Sequence, residues 1–330
     1  MFALVTGGQG FIGSHLCERL IQEGHRVRVL ARESSDLTYL QGLPVEVVQG
    51  DLVGPRDLGP GDLSHAVAGV DCVFHLAGAL KGFREADLMR VNRDGTRRLA
   101  DACLAHTPKL SRFVLVSSLA AAGPSPGGSA PAFEDAQPAP LTWYGKSKLE
   151  AEGVVQKSGL PFTILRPPIV FGPRDRDVFS YFKIAKAGVL PIPGWKNRCY
   201  SLVFAPDLAT GILQAAAEPK AASGLFNLTG AEVVTWSELG QKISAALGVR
   251  GHVLRLPEFA IQASGRIADL AARVRGRPQI FSSQKVIEML APAWVASSGK
   301  AQTIMGWSAK TPLEEALSLT VRWYRDHGWL

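Results

Sequence analysis

The sequence predicts an α/β fold in which a doubly wound parallel sheet is followed by a smaller, mainly helical C-terminal domain. In residues 2–116, short apolar segments rich in Val, Leu or Phe alternate with segments of helical periodicity. This alternation is typical of parallel strands joined by right-handed crossover helices. Beyond about residue 175 the alternation weakens. We therefore expect a first domain at 1–175 and a second at 176–330, part of which could return to the sheet.

The same periodicities predict the individual elements. Strands are expected at the apolar segments 2–6, 26–30, 45–49, 71–75, 112–116 and 162–166. A long helix is expected at 84–107, where apolar residues recur on one stripe. Helices of the second domain are expected near 236–247, 257–275, 282–290 and 313–326.

The turn after the first predicted strand is rich in glycine. Gly7, Gly10 and Gly13 lie between an apolar strand and an amphipathic helix. Glycine permits a tight turn, a close approach of the backbone to a pyrophosphate, and close packing of helix on strand. The turn therefore predicts a Rossmann-like dinucleotide site, with the start of the helix at Phe11 and Ile12 next to the anion.

A tyrosine and a lysine one helical turn apart carry the predicted chemistry. Tyr144 and Lys148 lie on one face of a helix that Thr142 is expected to cap, and Ser118 follows an earlier strand. A carbonyl that receives hydride needs a proton donor and a second hydrogen-bond donor at its oxygen. We expect Tyr144 to donate the proton, its pKa lowered by the Lys148 ammonium and a positive nicotinamide ring, and Ser118 to polarise the oxygen. The segment 123–141, with five prolines and three glycines, is expected to be a loop lining the site.

Together, the two motifs resemble those of the extended short-chain dehydrogenase/reductase family, also called the NAD-dependent epimerase/dehydratase family. The resemblance covers nearly the whole chain and is closest to the dihydroflavonol-reductase and hydroxysteroid-dehydrogenase-like branch. It implies that Ser118, Tyr144 and Lys148 are catalytic. It also implies that Asn92 helps to organise the site, the alternative being an ordinary amide on a helix surface. A homodimer, formed through helices that flank the site, is a further implication.

The resemblance also implies a set of residues that contact the cofactor. They come from the glycine turn, the ends of successive strands, the catalytic helix and the segment after the sixth strand: Gly7, Gly10, Phe11, Ile12, Gly13, Arg32, Asp51, Leu52, Leu76, Ala77, Gly78, Ser117, Tyr144, Lys148, Pro167, Ile169 and Val170. The acidic residue of NAD-binding members falls on Ala31, and Arg32 follows it. An arginine here can pair with the 2′-phosphate of NADP, so we expect NADP, with NAD as the alternative.

Three functions are consistent with this resemblance. The expected one is an oxidoreductase that transfers a hydride between NADPH and a carbonyl or alcohol, with an apolar ketone or aldehyde as the small-molecule substrate. A nucleotide-sugar epimerase is the alternative, but Pro193–Ser201 lacks the Gly-Asp-Gly tract and Arg-Asp-Phe triplet typical of such epimerases, although Arg198 could still hold a phosphate. A non-catalytic nucleotide-binding protein is disfavoured because Tyr144 is present.

Composition excludes several other classes of protein. The net charge is +7, but no basic tract interleaved with aromatic residues is present, so we expect no nucleic-acid partner. The four cysteines and seven histidines show no paired metal-ligand spacing, so we expect no metal. Neither a secretory signal nor an apolar run long enough to cross a membrane is apparent, which favours a cytoplasmic location.

The predicted helix at 257–276 is both basic and amphipathic. Its apolar residues recur at helical spacing, and residues 255–277 hold five arginines against two acidic residues, a net charge of +3. Such a helix can lie on anionic lipid. The favoured alternative is that the apolar stripe packs on the second domain, which would leave at most a weak peripheral membrane contact.

Overall fold

The computed structural model describes residues 1–54, 63–125 and 130–330. Its strands are β1 (Phe2–Thr6), β2 (Arg26–Ala31), β3 (Val45–Gln49), β4 (Cys72–His75), β5 (Arg112–Val116), β6 (Phe162–Arg166), β7 (Ile169–Phe171), β8 (Val189–Pro193), β9 (Cys199–Phe204), β10 (Gly224–Asn227), β11 (Val233–Thr235), β12 (His252–Leu256) and β13 (Ala293–Trp294). Its helices are α1 (Phe11–Gln22), α2 (Ser64–Val67), α3 (Glu85–Met89), α4 (Gly95–His106), α5 (Leu119–Ala122), α6 (Trp143–Gln156), α7 (Phe179–Lys186), α8 (Ala205–Ala217), α9 (Trp236–Leu247), α10 (Glu258–Val274), α11 (Ser283–Leu290), α12 (Gly299–Met305) and α13 (Leu313–Asp326).

A seven-stranded parallel sheet forms the centre of the molecule and confirms the predicted fold class. Its strand order is β3-β2-β1-β4-β5-β6-β10, and every neighbouring pair is parallel. The order reverses direction between β1 and β4, which is where doubly wound sheets bind nucleotides. The seventh strand, β10, lies beyond residue 175, so the second half of the chain does return to the sheet.

Two apolar layers cover the sheet. Leu16 and Leu20 of α1 pack with Leu208 and Ile212 of α8 on one face. Leu99 and Cys103 of α4 pack with residues of α2 and α6 on the other face. Because both faces are covered, the strands are nearly continuous runs of apolar residues, and this is why their positions could be predicted.

The predicted helix at 84–107 is interrupted by one wider turn. Residues Arg90–Asp94 form a π-helical turn between α3 and α4. A π-turn inserts an extra residue and re-aims the side chains around it, and such turns are frequent at functional sites. Here the turn contains Asn92, which is buried.

The remainder of the chain contains more strand than the sequence predicted. The short strands β11, β9 and β13 form a second sheet, to which β7 is added, and β8 pairs with β12. These strands have two to six residues, and β8 contains two prolines, so neither length nor alternation revealed them. Helices α7, α9 and α13 pack on this part around Phe182 and Tyr324.

Candidate active site

The glycine turn brings β1, α1 and the segment after β4 into close contact. Gly7 adopts a left-handed conformation with a φ of 73°, and a Cβ atom on it would lie 2.8 Å from the backbone nitrogen of Ala77. A Cβ on Gly13 would lie 2.1 Å from the carbonyl oxygen of Gly7. No described side chain caps α1 at Gly10, and the first turn, which includes Phe11 and Ile12, has no acidic residue. These features leave the helix N-terminus open to an anion.

The segments after β2 and β3 form an open depression beside this turn. Arg32, Glu33, Ser34, Gln49, Gly50 and Asp51 line it. Arg32 is exposed, and its backbone N–H donates to the hydroxyl of Ser35. Asp51 accepts a hydrogen bond from the N–H of Val53 at 3.0 Å, whereas Leu52 is buried against the sheet. The predicted cofactor residues Arg32 and Asp51 therefore lie together, while Leu52 presents no exposed side chain.

A close contact between two helices places Tyr144 beside Ser118. Ser118 follows β5 and caps α5 by accepting a hydrogen bond from the N–H of Ala120, and Thr142 caps α6 by accepting from the N–H of Gly145. A Cβ on Gly145 would lie 2.3 Å from the carbonyl oxygen of Ala120. Glycine at this position therefore lets the start of α6 pack directly on α5.

The pKa of Tyr144 differs in direction from the sequence prediction. Burial raises it to about 12, and a hydrogen bond from the Ser118 hydroxyl opposes this rise. The predicted lowering by Lys148 is wrong for the chain alone, because the Lys148 ammonium donates to the carbonyl oxygen of Val116 at 2.7 Å. Tyr144 is therefore a protonated phenol across the ordinary pH range, which is the form that a proton donor needs.

Lys148 is buried next to the segment after β4. Burial lowers its pKa to about 8, and the charge of Glu152 opposes this effect. A Cβ on Gly78 would lie 3.9 Å from the Lys148 Nζ atom, so the backbone at Gly78 runs close to the Lys148 ammonium. The predicted cofactor residues Leu76, Ala77 and Gly78 thus lie between the glycine turn and Lys148.

Asn92 connects this segment to α6. Its Oδ1 atom accepts from the N–H of Ala79 at 2.7 Å, and its Nδ2 atom donates to the Ala79 carbonyl at 2.9 Å and to the Ser147 hydroxyl at 2.8 Å. The alternative of an ordinary surface amide is wrong, because Asn92 is buried and uses both ends of its amide. It acts on the position of its neighbours.

Sequence reasoning missed Glu152. This buried carboxylate accepts two hydrogen bonds from Arg166, at 2.9 and 2.6 Å, and one from Ser117 at 2.5 Å. The side chain of Ser117, which was expected to contact the cofactor, is therefore occupied by this network. Tyr144, Lys148 and Glu152 are spaced by four residues along α6, a spacing that could have revealed the third residue.

The segment after β6 runs beside the same site. The carbonyl of Pro167 accepts a hydrogen bond from the N–H of Leu119, next to Ser118. Ile169 and Val170 begin β7 and are partly buried. These three predicted residues connect β6 to the second sheet.

A pocket of about 140 Å³ opens in front of Tyr144. Apolar residues of its lining come from three separate parts of the chain: Leu80, Phe83, Leu88, Trp143, Ala272, Pro278, Ile280 and Phe281. Charged residues also line it, among them Lys81, Asp177 and Arg273. The 278–288 segment is held there because Thr142 donates to Glu288 and the N–H of Trp143 donates to Gln284. The sequence did not predict this contribution.

Among residues 1–54, 63–125 and 130–330, no group of three or more His, Cys, Asp or Glu side chains could hold a metal ion. Over the same residues, no helix is long and apolar enough to cross a membrane. Residues 126–129 of the predicted 123–141 loop lie outside the described part.

The chain is similar in sequence and fold to known proteins. A model of the NAD dependent epimerase/dehydratase family matches residues 3–229. The chain is 32% identical over 329 residues to a ceramide reductase of Caulobacter vibrioides, covering 99% of this chain and 95% of the relative. It is 27% identical over 338 residues to a 2-alkyl-3-oxoalkanoate reductase of Shewanella oneidensis, covering 96% and 84%. The crystal structure of gox2253 matches with a TM-score of 0.82 and 27% identity, covering 100% of this chain and 99% of that chain.

Proposed function

The chain belongs to the NAD dependent epimerase/dehydratase family, and within that family we propose that it is a reductase that moves a hydride from NADPH to the carbonyl group of an apolar substrate. The observation that carries the proposal is the pocket at Tyr144. This tyrosine, beside Ser118, faces a cavity whose lining combines apolar side chains from three parts of the chain with polar and charged ones. The names of the two reductase relatives, for ceramide and for 2-alkyl-3-oxoalkanoates, support an apolar substrate.

The residues of the glycine turn fit a dinucleotide. The open N-terminus of α1 would hold the pyrophosphate, and the segment Leu76–Gly78 would pass along the nucleotide toward Lys148. When bound, the reduced nicotinamide supplies the hydride. The turn itself requires glycine at Gly7 and Gly13, because a Cβ atom there would overlap the backbone of Ala77 or of Gly7.

In the proposed reaction, Ser118 and Tyr144 act on the substrate carbonyl. Both hydroxyls orient its oxygen by hydrogen bonding, and Tyr144 gives that oxygen its proton as negative charge develops. The resulting phenolate would accept the hydrogen bond of the Ser118 hydroxyl, which already opposes the rise in the pKa of Tyr144. Asn92 is a positioning residue, since its contacts go to Ala79 and Ser147.

NADP is the proposed form of the cofactor. Ala31 offers no carboxylate to a ribose 2′-hydroxyl, and the exposed Arg32 lies in an open depression with Ser34. A guanidinium and a hydroxyl are suitable partners for a 2′-phosphate. The cytoplasmic location and the homodimer stay predictions.

The contacts of Arg198 weigh against the epimerase alternative. This arginine is buried, and its guanidinium donates to the carbonyls of Pro193 and Leu290 and to the carboxylate of Glu258. Because the side chain is buried and these contacts use three of its five N–H donors, Arg198 is poorly placed to hold the diphosphate of a nucleotide sugar.

Measuring nucleotide consumption separates the two functions. The chain should be incubated with NADPH and either a long-chain 3-oxo compound, such as the ketone form of a ceramide, or UDP-glucose. We expect one NADPH oxidised per alcohol formed from the ketone and no product from the nucleotide sugar. Epimerisation of UDP-glucose without net nucleotide consumption would refute the proposed reduction.

A further inference from the structure

Helix α10 presents an apolar stripe to the outside of the molecule. Exposed fractions are 74% for Phe259, 68% for Ile267, 65% for Leu270 and 83% for Val274. At 3.6 residues per turn, these four residues lie within an arc of about 80°. The sequence prediction that this stripe packs on the second domain is therefore wrong.

The opposite face of α10 is the packed one. Ile261, Gly265 and Ala272 are buried. A Cβ on Gly265 would lie 2.8 Å from a methyl group of Val286, so α11 approaches α10 closely on this side. Ile261 and two small residues, rather than the four exposed apolar residues, attach the helix to the protein. The large apolar residues consequently form an exposed surface that folding does not explain.

Arginines border this stripe and extend beyond its end. Arg266 and Arg273 lie on one flank of the stripe, and Arg275 and Arg277 follow the helix; all four are exposed. The two acidic residues of the segment are used internally, because Glu258 accepts from Arg198 and Asp269 accepts from the N–H of Ser283. The surface available to a partner is therefore apolar and positively charged.

We propose that this face of α10 docks on the surface of an anionic lipid membrane. An amphipathic helix with Phe and Leu on one side and arginines at its border is suited to lie in the headgroup region, with its apolar face in the acyl boundary. A second copy of the chain fits less well. A symmetric contact through the same patch would set the arginines of one copy against those of the other.

The catalytic pocket opens beside the same helix. Arg273, which flanks the stripe, lines the pocket that contains Tyr144, together with Asp269 and Ala272 of the packed side of α10. The partly exposed Ile280 and Phe281 also line it. Docking through α10 would therefore bring the pocket mouth to the membrane surface, so that an apolar substrate enters it without crossing water. This second step rests on the proposed reductase function, whereas the docking step does not.

Vesicle binding tests the docking step without reference to activity. The whole chain is sedimented at about 0.15 M salt with vesicles of phosphatidylcholine containing about 30% phosphatidylserine, and with phosphatidylcholine alone. We expect binding to the anionic vesicles and much weaker binding to the neutral ones. Equal, negligible sedimentation with both would overturn the proposal.

Two variants address the two parts of the surface. Arg266→Glu with Arg275→Glu should weaken binding to anionic vesicles at least about 25-fold, since each basic residue at such a surface contributes roughly fivefold. Leu270→Ser with Val274→Ser keeps the charge and should weaken binding about tenfold or more. Neither pair lies in the lining of the pocket.

Matched controls carry the same changes elsewhere on the surface. Arg322→Glu with Lys220→Glu alters the net charge equally, and Leu104→Ser with Leu319→Ser removes exposed leucines from other helices. Both controls should bind like the unmodified chain. If a control loses binding as strongly as its α10 counterpart, docking through α10 is wrong.

Activity and mass measurements separate the remaining outcomes. With the α10 variants, reduction of a short, water-soluble ketone should be unchanged, while reduction of a long-chain ketone presented in anionic vesicles should fall in parallel with binding. If the chain binds anionic vesicles but reduces neither ketone, the proposed reductase function is refuted while docking through α10 is supported. Another outcome is that the chain binds no vesicles and that light scattering shows a dimer which the α10 substitutions dissociate. This result would refute membrane docking and show that a second copy of the chain covers the stripe.

Discussion

Removing the Asn92 side chain tests how the site is positioned. Asn92→Ala deletes three buried hydrogen bonds, two to the backbone of Ala79 and one to Ser147. At about 1 kcal/mol each, their loss should lower the free energy of unfolding by about 3 kcal/mol. For a chain of this size, that change should move the urea midpoint down by about 1 M.

The same substitution should slow catalysis. Asn92 fixes Ala79, which follows the segment expected to contact the cofactor, and Ser147, which precedes Lys148. A small displacement of both should reduce kcat about 10- to 100-fold. The control is Asn197→Ala, because Asn197 is exposed and its loss should change stability by no more than about 0.5 kcal/mol. If the two variants unfold at the same urea concentration and turn over equally, the positioning role of Asn92 is refuted.

Three further predictions concern the cofactor, the buried ion pair and pH. Arg32→Ala should weaken the binding of NADPH by about 1.5–3 kcal/mol and leave the binding of NADH nearly unaffected. Fluorescence titration with both nucleotides measures this, and equal affinities of the unmodified chain for NADPH and NADH would contradict the prediction. Arg166→Met leaves the buried Glu152 carboxylate unpaired and should cost about 3–5 kcal/mol in urea unfolding, and a cost near zero would show that the pair contributes little. Because burial lowers the pKa of Lys148 to about 8, its ammonium is present below that pH and lost above it. If the Lys148 ammonium contributes to the reaction, kcat/KM for NADPH should fall as the pH rises through about 8. A constant kcat/KM up to about pH 10 would show that the charge of Lys148 is not needed.

The sheet could be predicted because its signal is local. The strands β1, β3, β5 and β6 have the predicted bounds, and α9 and α13 also begin and end where the sequence placed them. The short strands of the second sheet carry no comparable signal. β13, for example, has two residues and exists only through its pairing with β9.

The candidate site was only partly predictable for the same reason. Ser118, Tyr144 and Lys148 belong to short motifs, so their proximity follows from strand order and helix spacing. The pocket wall at 278–288 depends on contacts across more than a hundred residues, such as that between Thr142 and Glu288. No periodicity in either segment encodes such a contact.

Helix α10 shows a different limit. The spacing of its apolar residues predicts that they share one face of the helix, but it does not predict whether that face points to the protein or to the outside. The direction was decided by Gly265 and Ala272, whose small side chains permit close packing on the other face. The spacing of the large apolar residues therefore predicts the wrong face, because the packed face is the one that contains Ile261, Gly265 and Ala272.

Substitution of the proposed proton donor is the most direct test of the proposed reduction. Tyr144→Phe keeps the ring and removes the hydroxyl. The matched control is Tyr39→Phe, because Tyr39 packs against Trp323 and does not line the pocket. With NADPH and a long-chain ketone, kcat of Tyr144→Phe should fall about 100-fold or more while the Kd for NADPH stays within about twofold. The control should retain full turnover. Full turnover by Tyr144→Phe on the best ketone substrate would show that Tyr144 is not the proton donor.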